Sequence, residues 1–170
     1  MEKVILVDSE DKAIGTIEKI EAHEKALLHR AFSVFIFNEK EEMLLHQRAS
    51  SKYHSGGLWT NACCSHPREN ETTEEAAHRR LLEEMGFDCE IEEQFSFIYK
   101  AELDHGLTEH EFDHVFTGTY DGPINPNPEE VESYRYISMD SLQKEIEDYP
   151  ALFTEWFKIA VQEFLPESGQ

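Results

Sequence analysis

The residues best suited to chemistry fall in a few short stretches. In Leu58-Trp59-Thr60-Asn61-Ala62-Cys63-Cys64-Ser65-His66-Pro67, Cys64 stands two residues before His66. In an extended segment that spacing turns both side chains to one face. A neutral imidazole is a good transition-metal ligand. A thiol beside such a site can be pushed toward thiolate and exchange protons. The competing reading is that these cysteines are small buried hydrophobes, the commonest fate of a free thiol. That reading is adopted for Cys63 and for the distant Cys89. In Glu109-His110-Glu111 the two carboxylates again share a face if the segment is a strand. They repel unless a cation or proton sits between them; a merely solvated acidic strand is the alternative. His23 and His29 supply two further imidazoles. His23, His29, His66, Glu109 and Glu111 together would make a five-ligand nitrogen–oxygen site. That mixture suits Mn²⁺, Mg²⁺, Fe²⁺ or Zn²⁺ in roughly octahedral geometry with an open position. Spacing alone does not make them converge; the fold has to.

The elements that would position them belong to a chain of 170 residues, the size of one domain. We expect a single domain over 1–170, with an ordered core at about 4–165 and a tail at 166–170. The formal net charge is −21, which argues against nucleic acid and anionic membranes as partners, since both demand a basic footprint. No wholly apolar stretch is longer than Val34-Phe35-Ile36-Phe37, which is far too short to span a bilayer. The opening residues lack the apolar region and cleavage site of a signal peptide. Three cysteines, two of them adjacent, do not suggest a secreted disulfide framework, so a cytoplasmic setting is expected. Residues 101–170 hold only three basic residues, Arg135, Lys144 and Lys158, whereas nine fall between Lys19 and Arg80. An anion-binding site is therefore expected in that middle segment. Monomer or weak dimer is the expected state.

Strand-like runs come first: Val4–Val7, Ile14–Ile17, and Ala31–Phe37 with Met43–His46 about a polar tip, which reads as a hairpin. A loop over 49–57 leads to an extended segment over 58–64. The clearest helix is Thr73–Met85. Thr72 and Glu75 form a capping box, and Gly86 stops the helix where a left-handed residue is wanted. Further strands are expected over 95–103, 111–120 and 133–137. Helices are expected over 140–148 and 152–165, the second with Leu152, Trp156, Ile159 and Ala160 on one face. The pattern is a mixed α/β or α+β sandwich.

From Ser65 the chain reads Ser65-x5-Glu71-x7-Arg79-Arg80-Leu81-x-Glu83-Glu84-x-Gly86-Phe87. This resembles the Nudix box, a loop–helix–loop that binds divalent metal and diphosphate. Ser65 stands where the box expects Gly, and Arg79-Arg80 where it expects Arg-Glu. On a helix Arg80 and Glu84 are neighbours. In the hydrolases a carboxylate at the Arg80 position ligates metal; here it is a cation. The resemblance thus suggests a diphosphate binder that does other chemistry. A plain Arg80–Glu84 surface ion pair, worth a few tenths of a kcal/mol, is the alternative.

Further stretches occur in order: Glu18-Lys19, His23, Leu28-His29-Arg30-Ala31-Phe32-Ser33, Leu44-Leu45-x-Gln47-Arg48-Ala49-x-x-Lys52, Trp59-Thr60-Asn61-x-x-Cys64-Ser65-His66-Pro67 and Glu109-x-Glu111. Together they resemble type 1 isopentenyl-diphosphate isomerases, from about Val4 to Trp156. The resemblance implies a Nudix-like α/β/α sandwich with a mixed sheet. It implies an enzyme that interconverts isopentenyl and dimethylallyl diphosphate by moving a proton across an allyl unit. Cys64 and Glu111 would be the two proton-transfer partners, and Tyr99 would hydrogen-bond Glu111 and assist protonation. Trp156 would set its ring face near a tertiary carbocation, worth ~2 kcal/mol or more in a dry site; packing in the core is compatible with that. Lys19, Arg48, Lys52, Ser65 and Arg80 would bind the diphosphate. Glu84, with the Cys64 carbonyl, would hold Mg²⁺ bridging to it. Mn²⁺ or another divalent transition metal would occupy the His23, His29, His66, Glu109, Glu111 site, tuning the acid rather than activating a water.

Two features lie off the pattern. Where many relatives carry an aromatic residue and a proline before the glycine, this chain has His54-Ser55-Gly56-Gly57. His110 and His114 fall off the ligand face of their strand. Two other functions stay open at this point: hydrolysis of an organic diphosphate, and metal binding without turnover.

Overall fold

The computed structural model describes residues 2–52 and 54–164. Its centre is β3 (His29–Phe37), a strand whose second half, Val34–Phe37, is wholly apolar. Such a run suits a strand buried on both faces. One edge of β3 pairs in parallel with β8 (Thr108–Thr119), from His29 opposite Glu111 to Phe37 opposite Thr119. The other edge meets β1 (Lys3–Val7) at Leu6, β6 (Cys63–Ser65) from Phe32 to Val34, and β4 (Met43–Arg48) at Phe37. Beyond β1 lies β2 (Ala13–Glu18), and beyond β8 lies β7 (Ile91–Glu102). Two further strands, β5 (Trp59–Thr60) and β9 (Val131–Ile137), flank β4. Every pairing except β3·β8 is antiparallel, so the sheet is mixed.

Alternation along β3 builds two cores. Phe32, Val34 and Ile36 pack with Cys63, Leu81 and Met85, beneath helix α2 (Thr73–Met85). Phe35 packs on the other face with Tyr99, Trp156 and Phe157. That face is covered by α3 (Met139–Asp148) and α4 (Glu155–Val161). The architecture is the expected α/β/α sandwich. No helix among the described residues is long and apolar enough to cross a membrane.

Helix α2 forms over the residues its sequence predicts. Thr72 accepts from the Glu75 amide, Glu75 reaches back to the Thr72 amide, and Gly86 caps at φ 74°. Other expectations need correction. The 31–37/43–46 hairpin exists at its tip alone, because β3 and β4 pair only at Phe37 and Met43 before diverging to other partners. β7 begins at Ile91, four residues earlier than expected. Leu152 lies in a 3-10 turn, Pro150–Leu152, and is half exposed; Thr154 caps α4 behind it. The buried face of α4 is therefore Trp156, Phe157, Ala160 and Val161, without Leu152 or Ile159. The expected tail at 166–170, and Leu165, lie outside the described residues. One helix was not expected: α1 (Lys19–Glu24), too short for its six residues to show a period.

Candidate active site

Four elements bring the metal candidates together. Helix α1 supplies His23, β3 supplies His29 at its first residue, the end of β6 leads into His66, and β8 supplies Glu109 and Glu111. One ligand atom each from His23, His29, His66 and Glu111 lies within 4.8 Å of all the others, and all four residues are buried. Glu109 Oε2 is 3.8 Å from His23 Nε2.

The hydrogen-bond partners of the rings fix their chemistry. His23 Nδ1 lies 2.7 Å from the Lys19 carbonyl, and His29 Nδ1 lies 2.8 Å from the Leu27 carbonyl. A carbonyl oxygen only accepts, so both Nδ1 atoms carry a proton, and it is Nε2 of each ring that is left to act as a ligand. Yet His29 Nε2 lies 3.2 Å from Glu111 Oε2, and His66 Nε2 lies 2.9 Å from that same oxygen. The two Nε2 atoms are 3.3 Å apart. With its Nδ1 proton on the Leu27 carbonyl, His29 turns an Nε2 lone pair toward a carboxylate oxygen, an arrangement that calls for a cation or an extra proton between them. Burial also holds His66 neutral, with its pKa lowered to about 4 despite Glu111 beside it. Imidazoles and carboxylates in this buried grouping fit a divalent metal ion.

Beside this cluster stand the proton-transfer candidates. Tyr99 Oη lies 2.6 Å from Glu111 Oε1 and 2.8 Å from Glu109 Oε1. Burial would raise Glu111, but His29 and His66 overcome it and hold the carboxylate well below its ordinary value. Glu109 is raised, by burial first and by Glu111 second. Cys64 and Glu111 project from strands on opposite edges of β3. Cys64 Sγ is 3.4 Å from Ser33 Oγ and 3.1 Å from Asn61 Oδ1. Burial, then the charge of Asp113, keeps Cys64 a thiol. Cys63 points the other way, into the α2 layer, with Sγ 3.1 Å from Glu84 Oε2.

Cys64 and Glu111 line one cavity with Lys19, Arg48, Lys52, Ser65, Arg80, Glu84 and Trp156. Its enclosed part is about 60 Å³, room for a few waters. The expected anion-binding cations are thus gathered. Lys19 is pushed down by burial and by the nearby Lys52 and Arg80. Arg80 Nη2 lies 3.4 Å from Glu84 and 3.6 Å from Glu130, and Lys52 Nζ lies 2.6 Å from Glu130. Burial works against the charge on Arg80, but Glu84 and Glu130 help to hold it firmly protonated. The Arg48 guanidinium sits 5.1 Å from the centre of the Trp156 ring. His110 and His114 are elsewhere, the first on the Ala26 carbonyl and the second on Asp11 and Glu93. A larger concavity, lined by Phe37, Phe95, Phe164 and Cys89, holds no ligating cluster among the described residues.

Several site residues were not anticipated. Asp113 continues the Glu109, Glu111 alternation, is 1% exposed, and accepts from Ser33 Oγ at 2.7 Å. The period-two pattern could have found it. Glu130 and His54 are brought in by loops and carry no local signal.

The chain is similar to several known proteins. The NUDIX domain model matches residues 27–157. An isopentenyl-diphosphate Delta-isomerase of Pectobacterium atrosepticum is 51% identical, with 92% of this chain and 88% of that protein covered. One from Photobacterium profundum is 50% identical, with 98% and 96% covered. Among solved structures, a Deinococcus radiodurans protein has a TM-score of 0.77 at 18% identity, covering 95% of this chain and 98% of its own. The MutT protein of Methanosarcina mazei has a TM-score of 0.63 at 22% identity, covering 81% and 95%. At such identities these two speak for the fold alone.

Proposed function

The chain belongs to the isopentenyl-diphosphate Delta-isomerases, a family built on the NUDIX domain, and from that membership we infer how its residues share the reaction. It is an isomerase that converts isopentenyl diphosphate to dimethylallyl diphosphate. One proton joins the terminal alkene carbon and another leaves the carbon two bonds away, so atoms balance without a co-reactant.

We assign Cys64 and Glu111 as the pair between which the alkene lies. The observation that carries the assignment is their placement on opposite edges of β3, around one cavity. Each acts as acid in one direction and base in the other, because the reaction is reversible. Tyr99 hydrogen-bonds Glu111 and assists the proton transfer there. Trp156 offers its ring to the tertiary cation that protonation creates; the Arg48 guanidinium over that ring must yield to the cation or share the ring with it. Lys19, Arg48, Lys52, Ser65 and Arg80 hold the diphosphate.

His23, His29, His66, Glu109 and Glu111 are assigned to Mn²⁺ or another divalent transition metal, and Glu84 with the Cys64 carbonyl to Mg²⁺. When bound, these ions supply positive charge that orients Glu111 and neutralises the diphosphate. The cation at Arg80, where a hydrolase keeps a carboxylate, speaks against phosphate-bond cleavage. We take the enzyme to be cytoplasmic, and to act as a monomer or weak dimer.

Incubation with isopentenyl diphosphate and Mg²⁺ in D₂O, followed by proton NMR, tests this reading. Deuterated dimethylallyl diphosphate is the expected product. Release of inorganic phosphate would mean a hydrolase, and no change would mean binding without turnover; either overturns the reading.

A further inference from the structure

We propose that His54 is an additional ligand of the metal at the His23, His29, His66, Glu109, Glu111 centre, and that the ion thereby fastens the loop carrying Lys52. The proposal rests on the metal centre assigned above and deepens it. His54 comes from the loop between β4 and β5, not from the sheet, and is only 4% exposed. One ligand atom each from His54, His23 and Glu109 lies within 4.8 Å of the other two. Two of these three already belong to the centre. The His54 ring lies against that of His23, centroids 5.9 Å apart and planes at 28°. Nδ1 of His54 is 3.1 Å from Ser55 Oγ, so Nε2 is the atom assigned to the ion. An octahedral ion with five other donors has one position for it.

The loop backbone is arranged to deliver this ring. Ser55 is buried yet sits at φ 55°, a left-handed conformation that costs a serine free energy. Such a conformation persists where the surroundings enforce it. The Asp104 carboxylate accepts from the Ser55 amide at 3.1 Å, and Arg48 donates to the His54 carbonyl at 3.2 Å. The next residue, Gly56, has no room for a side chain, because a Cβ would stand 2.7 Å from the Ser50 carbonyl oxygen. Lys52 and Arg48, two of the diphosphate cations, lie at or beside this loop. A ligand at position 54 therefore couples metal occupancy to the posture of the diphosphate site. The ring also meets Trp156 edge-on, centroids 5.6 Å apart, so the same residue borders the place assigned to the alkene.

The test measures the metal directly. Wild type, His54→Ala and His54→Gln are stripped with EDTA, checked for equal melting temperatures, and titrated with Mn²⁺ against a fluorescent chelator. Amide hydrogen exchange of residues 49–58 is followed with and without Mn²⁺. Both variants should bind Mn²⁺ at least about tenfold more weakly, and the ion should slow loop exchange in wild type alone. Pulsed EPR on ¹⁵N-histidine protein should count four coordinated histidines in wild type and three in the variants. Three in wild type, with unchanged affinity in the variants, would remove His54 and leave the five-ligand centre standing. A wild type that binds no Mn²⁺ would remove the centre itself, and His54 with it.

Discussion

Cys63 and Cys64 are identical side chains one residue apart, and the sheet gives them opposite surroundings. Cys63 is sealed in the α2 layer against Glu84, whereas Cys64 faces the cavity beside Ser33 and Asn61. Cys64→Ala should fold and lose nearly all turnover; Cys63→Ala should keep most of it. Equal loss in both, measured as kcat beside a thermal melt, would contradict the assignment. Arg80 allows a second residue-scale test. It stands between Glu84 and Glu130 in the cavity we assign to the diphosphate. Arg80→Glu places three carboxylates there, so the KM for isopentenyl diphosphate should rise at least about tenfold. A purely superficial ion pair would instead leave KM unchanged and shift stability by under about 1 kcal/mol. At this scale the site was largely legible, since Cys64, His66, Glu109 and Glu111 follow a two-residue alternation that the strands preserve. His54 and Glu130 were not, because loop conformation, not local period, carries them in.

Helix α2 shows why some elements can be read from sequence and others cannot. Its start and stop are written in side chains, and its end is locked sterically. A Cβ on Gly86 would fall 2.0 Å from the Asn125 carbonyl oxygen, at a φ of 74°. Asn125 and Asn127 donate back to the carbonyls of Met85 and Glu84, so the turn is docked onto the helix end. Gly86→Ala should therefore destabilise the protein by about 3 kcal/mol or more, read from a urea melt. It should also impair the Glu84 position, which a plain melt of the folded fraction would miss and a Mg²⁺ titration would catch. A loss below about 1 kcal/mol would show that the turn can move away. Helix α1, by contrast, has no side-chain cap and barely a turn and a half of chain. Tertiary contacts decide it, and nothing local announces them. The same holds for β3 and β4, whose polar tip was visible but whose partners were not.

For the whole molecule, burial of imidazoles makes acid a threat even without metal. Burial, with Arg48 beside it, lowers His46 to about 4, and burial lowers His66 to about 4. Burial, Arg48 and His23 lower His54 as well. At pH 7 these rings are neutral in both folded and unfolded chains. Below about 6.5 the unfolded chain takes up protons that these folded rings refuse, so their contribution to stability falls as pH drops toward 4, while the buried carboxyls of Glu84, Glu109 and Asp113, raised by burial, pull the other way. His46 alone accounts for about 3 kcal/mol by pH 4. Melting temperatures in EDTA from pH 7 to pH 5 should show wild type losing stability relative to His46→Gln as the pH falls. The same pH dependence in both would mean that the His46 ring reaches solvent. The parallel pairing of β3 with β8 has a consequence in time. It joins His29 to Glu111 across 82 residues of chain, a distant contact of the kind that forms slowly. Until it exists the imidazoles and carboxylates have nothing in common, so the ion cannot template the chain and arrives only after the search is over. It acts as a latch: Mn²⁺ should leave the refolding rate unchanged and lengthen the lifetime of the native state.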